Sequence, residues 1–78
     1  MKVLVAKVGE VLFDGEAYSI TLPAVQGEIT VLAHHMPVVT PLKAGVVRIH
    51  DTQGSTPREF AIESGVLEVT GEGVVVLL

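Results

Sequence analysis

The sequence predicts an all-β fold, a two-sheet sandwich of about ten short strands with no substantial helix. Two observations carry that expectation. Apolar and polar residues alternate with a period of two, and Gly or Pro stands at nearly every joint between the apolar runs. Composition agrees: 49% of the 78 residues are hydrophobic, mostly valine, leucine and isoleucine rather than aromatics, which is the material of packed strands.

Along the chain, "FDGE" around Gly15 is the first clear breaker. The run "AYSITL" then places Tyr18, Ile20 and Leu22 on one face and Ala17, Ser19 and Thr21 on the other, the pattern of a half-buried strand. "LPAVQGE" from 22 to 28, "HHMP" and "LKAGV" punctuate the middle of the chain, and "DTQGSTP" from 51 to 57 is a longer connection. "EFAIE" sets Phe60 and Ile62 opposite Glu59, Ala61 and Glu63, and "ESGV" and "TGEG" divide the remaining apolar runs. Between these breakers no i, i+3, i+4, i+7 apolar pattern lasts long enough for a helix of three turns. Strands with both faces partly apolar need a second sheet to cover them, so a sandwich is expected. With no internal repeat, low-complexity tract or linker, residues 1–78 read as one domain.

Several function classes lose support at once. A chain of this size usually leans on disulfides or a structural metal, yet it has no cysteine for either. The net charge of −4, with five basic residues scattered, argues against a phosphate backbone as ligand, and three aromatics make a poor base-stacking platform. The apolar run "VVVLL" at 74 to 78 falls far short of the roughly 18 residues needed to span a bilayer. "MKVLVAKVGE" meets charge again at Lys7, unlike a signal peptide, so the chain reads as soluble and intracellular.

The candidate sites are few. His34 and His35 are sequence neighbours that would point to opposite sides of an extended chain, and His50 belongs to a separate run, so no metal site is expected. No hydroxyl lies in an activating motif such as "GxSxG", and no pair of the dispersed carboxylates is singled out for acid–base work. The glycines form neither "GxGxxG" nor a P-loop, so no cofactor is expected. Lys43 in "PLKAG" occupies a turn, as the modified lysine of a lipoyl or biotinyl carrier domain does, but Leu42 and Ala44 flank it where those domains have acidic residues or methionines. A carrier domain modified at Lys43 and a stand-alone β-sandwich binding module stay open as alternatives.

"LFDGEAYSITLP", "GEITVLAHHMPVVTPLKAGVVRI", "FAIESGVLEV" and "GVVVLL", taken in that order, resemble the N-terminal β-sandwich domain of the epsilon subunit of F-type ATP synthase, called delta in mitochondria. The most specific run has a family form close to "GExGILPGHAPLLTALKPGVVRI". Gly27, Glu28, Leu32, His35, Pro37, Thr40, Leu42, Lys43 and the stretch from Gly45 to Ile49 match it as they stand. There are departures: Ala33-His34 replaces the family's Pro-Gly, Met36 its small residue before Pro37, and Thr30 the glycine that follows the Gly-Glu pair. Since Gly takes backbone angles closed to most residues, the loop at His34 is expected to follow a different path.

The resemblance implies a non-catalytic subunit of the central stalk, docked between the gamma subunit and the c-ring and coupling ion flow to ATP synthesis. By residue match, Gln26, Gly27 and Glu28 become candidates for c-ring contact, and His35, Met36, Val38 and Thr40 for gamma contact. It further implies a peripheral membrane protein on the cytoplasmic side, for a bacterial source, attached to the membrane only through the complex. The family's two-helix C-terminal domain, which carries inhibition of hydrolysis and in some bacteria ATP binding, has no counterpart in these residues, so no nucleotide binding is expected.

Overall fold

The computed structural model describes residues 1–78, and every regular element in it is a strand. In chain order these are β1 (Lys2–Lys7), β2 (Glu10–Glu16), β3 (Ser19–Ala24), β4 (Gly27–Leu32), β5 (Val38–Leu42), β6 (Gly45–His50), β7 (Arg58–Ile62), β8 (Gly65–Thr70) and β9 (Gly73–Leu77). The strands number nine rather than about ten. Hydrogen bonding runs in the order β2-β1-β9-β8-β5-β3-β6-β7, with β4 added to β3. β5 and β3 share one paired position, Ala24 with Leu42. That corner divides the strands into two layers, β2-β1-β9-β8-β5 and β4-β3-β6-β7, so the two sheets of the sandwich are one sheet folded over.

Side-chain alternation builds the core. From the first layer, Val3, Val5, Leu67, Val69, Val74 and Val76 point inward; from the second, Ile20, Leu22, Val31, Val47 and Ile49 do. Each is less than a tenth exposed, and with Ala17, Ala24, Leu42 and Ile62 they make a single cluster of fifteen buried hydrophobics, against which Phe13, Ile29, Val38 and Phe60 pack. The inner row Thr40-Leu67-Val76-Val5-Phe13 runs across all five strands of the first layer. "EFAIE" behaves as its pattern predicts, with Ile62 buried and Glu59, Ala61 and Glu63 exposed.

Two local expectations are corrected. Tyr18 does not join the face of Ile20 and Leu22: it is exposed, while Ala17 and Ser19 are buried. The reason is that residues 17 and 18 cross between layers, with the Tyr18 N–H donated to the His50 carbonyl, so strand alternation starts only at Ser19. The segment 22–28, read as a breaker, is mostly strand, since β3 continues through Pro23 to Ala24. Proline fits because the β3–β6 ladder has already lapsed after Thr21 and Arg48, leaving no partner that needs an N–H there. The real turn is the two-residue link Val25-Gln26, after which Gly27 takes φ +137°, a value that suits glycine.

Glycine is also required at Gly73, where φ is +146° and a β-carbon would come within 2.5 Å of the Lys2 carbonyl oxygen. This close approach is where β9 enters beside β1, the sole parallel pair in the fold.

Candidate functional site

The pairings place the docking candidates at different ends of the strands. One end carries the β3–β4 turn at Val25-Gln26, the β1–β2 turn at Val8-Gly9 and the β5–β6 link at Lys43-Ala44. The opposite end carries the β4–β5 link from Ala33 to Pro37, the 51–57 connection and the β8–β9 turn at Gly71-Glu72. Gln26, Gly27 and Glu28 therefore sit at one end, His35 and Met36 at the other, and β5 with Val38 and Thr40 lies between them. The body is only 26 × 24 × 23 Å, so either end is within reach of a neighbour that touches one side.

At the first end, Gln26 is exposed but held: the Thr40 hydroxyl donates to its Oε1 at 3.0 Å. The turn is fastened a second time by the Val25 N–H, which donates to the Pro41 carbonyl at 3.2 Å. Glu28 is not a free charge either. Arg48 Nη1 donates to its Oε2 at 3.3 Å, and Arg48 Nε donates to Glu59 Oε2 at 2.9 Å, so one guanidinium bridges carboxylates from β4 and β7.

At the other end, His35 is half-buried and its Nδ1 donates to the Met36 carbonyl at 2.7 Å, while the Met36 side chain stands 79% exposed. The different path expected at His34 is not taken: His34 has φ +68°, a left-handed value of the kind glycine adopts, at the position where the family pattern carries glycine, so a histidine holds the backbone geometry that glycine would give. His50 lies on β6, with Nδ1 3.5 Å from Ser19 Oγ. No three His, Asp or Glu side chains are grouped as metal ligands. An open cleft of about 650 Å³ between Met1, Tyr18, Leu32 and Asp51–Gln53 is bordered by Glu16 and Asp51, each already paired with a cation, the Met1 amine at 3.4 Å and Arg58 Nε at 3.6 Å. Lys43 is exposed on the link between layers, its backbone N–H bound to the Pro23 carbonyl; β5 and β6 do not pair, so this lysine does not crown a hairpin.

Two of the sequence-derived gamma candidates do not face outward. Val38 is half-buried against the core and Thr40 is only 4% exposed, because β5 points its even-numbered residues inward. The outward residues of β5 are Val39 and Pro41. Pro41 heads a row that sequence reading missed: Pro41-Val66-Leu77-Ala6-Val11, five apolar residues from five strands, side by side on the outer face of the first layer. Val66, Leu77 and Val11 are 44%, 56% and 60% exposed. The adjacent row, Val39-Glu68-Val75-Leu4-Asp14, adds three more apolar positions. The outer face of the second layer differs. Its central row is Thr30-Thr21-Arg48-Glu59, in which the two threonine hydroxyls bond at 2.9 Å and Arg48 bonds Glu59.

Comparison with known proteins extends over the same residues. The chain is 39% identical over 77 residues to the ATP synthase epsilon chain of Brevibacillus brevis, covering 99% of this chain and 58% of the relative. It is 40% identical over 78 residues to the ATP synthase epsilon chain of Herminiimonas arsenicoxydans, covering 99% and 55%. It thus spans about half the length of the curated relatives it matches. Among solved structures it superposes with a TM-score of 0.85, at 25% identity and over 96% of its length, on 48% of a chain in the Euglena gracilis mitochondrial ATP synthase, a structure described as OSCP/F1/c-ring. A chain of the Tetrahymena thermophila mitochondrial enzyme, TM-score 0.76 at 15% identity, shares the fold over 100% of this chain and 63% of its own. All of residues 1–78 match the family described as the ATP synthase Delta/Epsilon chain, beta-sandwich domain, and the chain belongs to that family.

Proposed function

We propose that the chain is a non-catalytic rotor subunit of an F-type ATP synthase, docked between the gamma subunit and the c-ring so that ion flow is coupled to ATP synthesis. The observation that carries this reading is the 0.85 superposition on a chain of a solved F1/c-ring assembly. The physics of the domain is compatible with a mechanical part. Its core is one continuous cluster, and close-packed interiors deform little under load.

In this reading the β3–β4 turn with Gln26, Gly27 and Glu28 meets polar loops of the c-ring. Gamma covers the outer face of the first layer, where Val39, Pro41, Val66, Leu77 and Val11 are exposed, and reaches His35 and Met36 at the far end. An apolar row rimmed by Glu68 and Asp14 has the make-up of an interface core with a polar border. Attachment to the cytoplasmic side of the membrane follows from the complex, as a peripheral protein.

The test is co-purification of the tagged chain with gamma and the c-ring from membranes, for wild type and for Leu77→Lys. The substitution places a charge in the middle of the apolar row, and burying it against a partner weakens gamma binding by about 30-fold or more, equivalent to ~2 kcal/mol. Recovery of neither partner with wild type sinks the reading. Normal gamma binding by a folded Leu77→Lys variant removes this face from the interface.

A further inference from the structure

We propose that Thr40 is a positioning residue for the docking turn: its buried hydroxyl locks the Gln26 side-chain amide so that both Nε2 hydrogens are offered to the c-ring. The inference rests on the c-ring reading above. Thr40 is one of two buried polar residues, and it sits in the inner row with Leu67, Val76 and Val5, where a valine would pack equally well. A hydroxyl in that row needs a partner. Its shorter contact, 3.0 Å, runs to Gln26 Oε1, and its longer one, 3.3 Å, to the adjacent Pro41 carbonyl. Using Oε1 leaves the amide nitrogen as the outward group, so the turn presents donors of fixed direction.

Two residues on, the Glu28 carboxylate is oriented in the same way. Arg48 takes its Oε2, and its other oxygen stays available. An amide donor and a carboxylate acceptor, each anchored from behind, suit a polar loop that offers a peptide carbonyl to one and a cation or amide to the other. Anchoring removes most of the rotamer entropy that an exposed glutamine would otherwise lose on binding, so affinity is gained without a new contact. The partner chemistry follows from which atoms are occupied: a purely apolar surface would leave the Gln26 donors and the Glu28 oxygen unpaired.

The experiment is a double-mutant cycle on the full chain, read as binding to the detergent-solubilised c-ring of the same synthase. Thr40→Val weakens ring binding by about fivefold, Gln26→Ala by about as much or more, and the double variant by no more than Gln26→Ala alone. Gln26→Glu keeps the acceptor for Thr40 and deletes the donors, so it loses ring affinity like Gln26→Ala; being at an exposed turn, it leaves the fold intact whatever Thr40→Val does. Thr40→Ser keeps the hydroxyl and restores binding. Nitrogen relaxation of the Gln26 side-chain amide in the unbound chain supplies a second readout, ordered in wild type and mobile in Thr40→Val. Multiplicative losses in the cycle, or a Gln26 amide as rigid in Thr40→Val as in wild type, overturn the positioning role. Failure of wild type to bind the ring instead overturns the docking reading itself, and the relaxation measurement distinguishes the two.

Discussion

The outer faces of the two layers are built from strands of similar length and composition, yet they end in opposite states. On β4-β3-β6-β7 the central row consists of groups that satisfy one another, Thr30 with Thr21 and Arg48 with Glu59 and Glu28. On β5-β8-β9-β1-β2 the corresponding row is apolar from edge to edge, and its members have no partner within the chain. A face whose polar groups bond internally gains little from a neighbour. A face of exposed Val, Leu and Pro gains by being covered, at about 25 cal/mol for each Å² removed from water. If the chain docks as proposed, the face that gains from a partner is therefore the outer face of the first layer.

The comparison breaks or sharpens under substitution. The largest effect is expected at Thr40→Arg, which drives a charge into the inner row and costs about 3 kcal/mol or more of folding stability. Val39→Arg, one residue along and facing out, leaves the melting temperature nearly unchanged while weakening gamma binding. If thermal melting finds both variants equally stable, the inward and outward assignment of β5 is wrong. A smaller effect is expected on the polar face. Arg48→Ala removes two ion pairs made by a side chain 40% exposed, worth about 0.5–1 kcal/mol together after screening, and 1 M salt erases most of the difference. Gamma binding stays unchanged in that variant, and a loss there would mean that the polar face also docks. The smallest is His34→Gly at the far end. Relief of the left-handed strain outweighs the added chain entropy of glycine by about 0.5 kcal/mol, which denaturant titration detects as a small gain.

How much of this was legible in the residues depends on how local each signal is. The all-β class and most turns were legible because alternation and Gly or Pro are local marks, and "EFAIE" reads correctly on its own. The family resemblance was legible in the long run from Gly27 to Ile49. The facing of β5 was not. In "PVVTPL" two adjacent valines and two prolines give no parity, and a slip of one residue exchanges the faces, which is how Val38 and Thr40 came to be expected at the surface. The row Pro41-Val66-Leu77-Ala6-Val11 was invisible for a different reason: its members come from five strands spread over the chain, and only strand order and register set them side by side. The unusual backbone at His34 did have a signal, the histidine standing where the family pattern has glycine.

The parallel pairing of β1 with β9 bears on how the molecule is made. Val3 lies against Val74, so the middle of the first layer stays open until nearly all 78 residues have left the ribosome. Until then β1 and β2 are a hairpin with both edges bare, a state prone to joining strands of other chains. The edge that waits for β9 is β1, with Lys2 and Lys7 exposed at its two ends, and the other edge is β2, which carries Glu10, Asp14 and Glu16. Those features keep like molecules apart during the interval before β9 arrives. Long-range closure of this kind is slow, and the time a nascent chain spends in that half-built condition sets its exposure to chaperones and proteases.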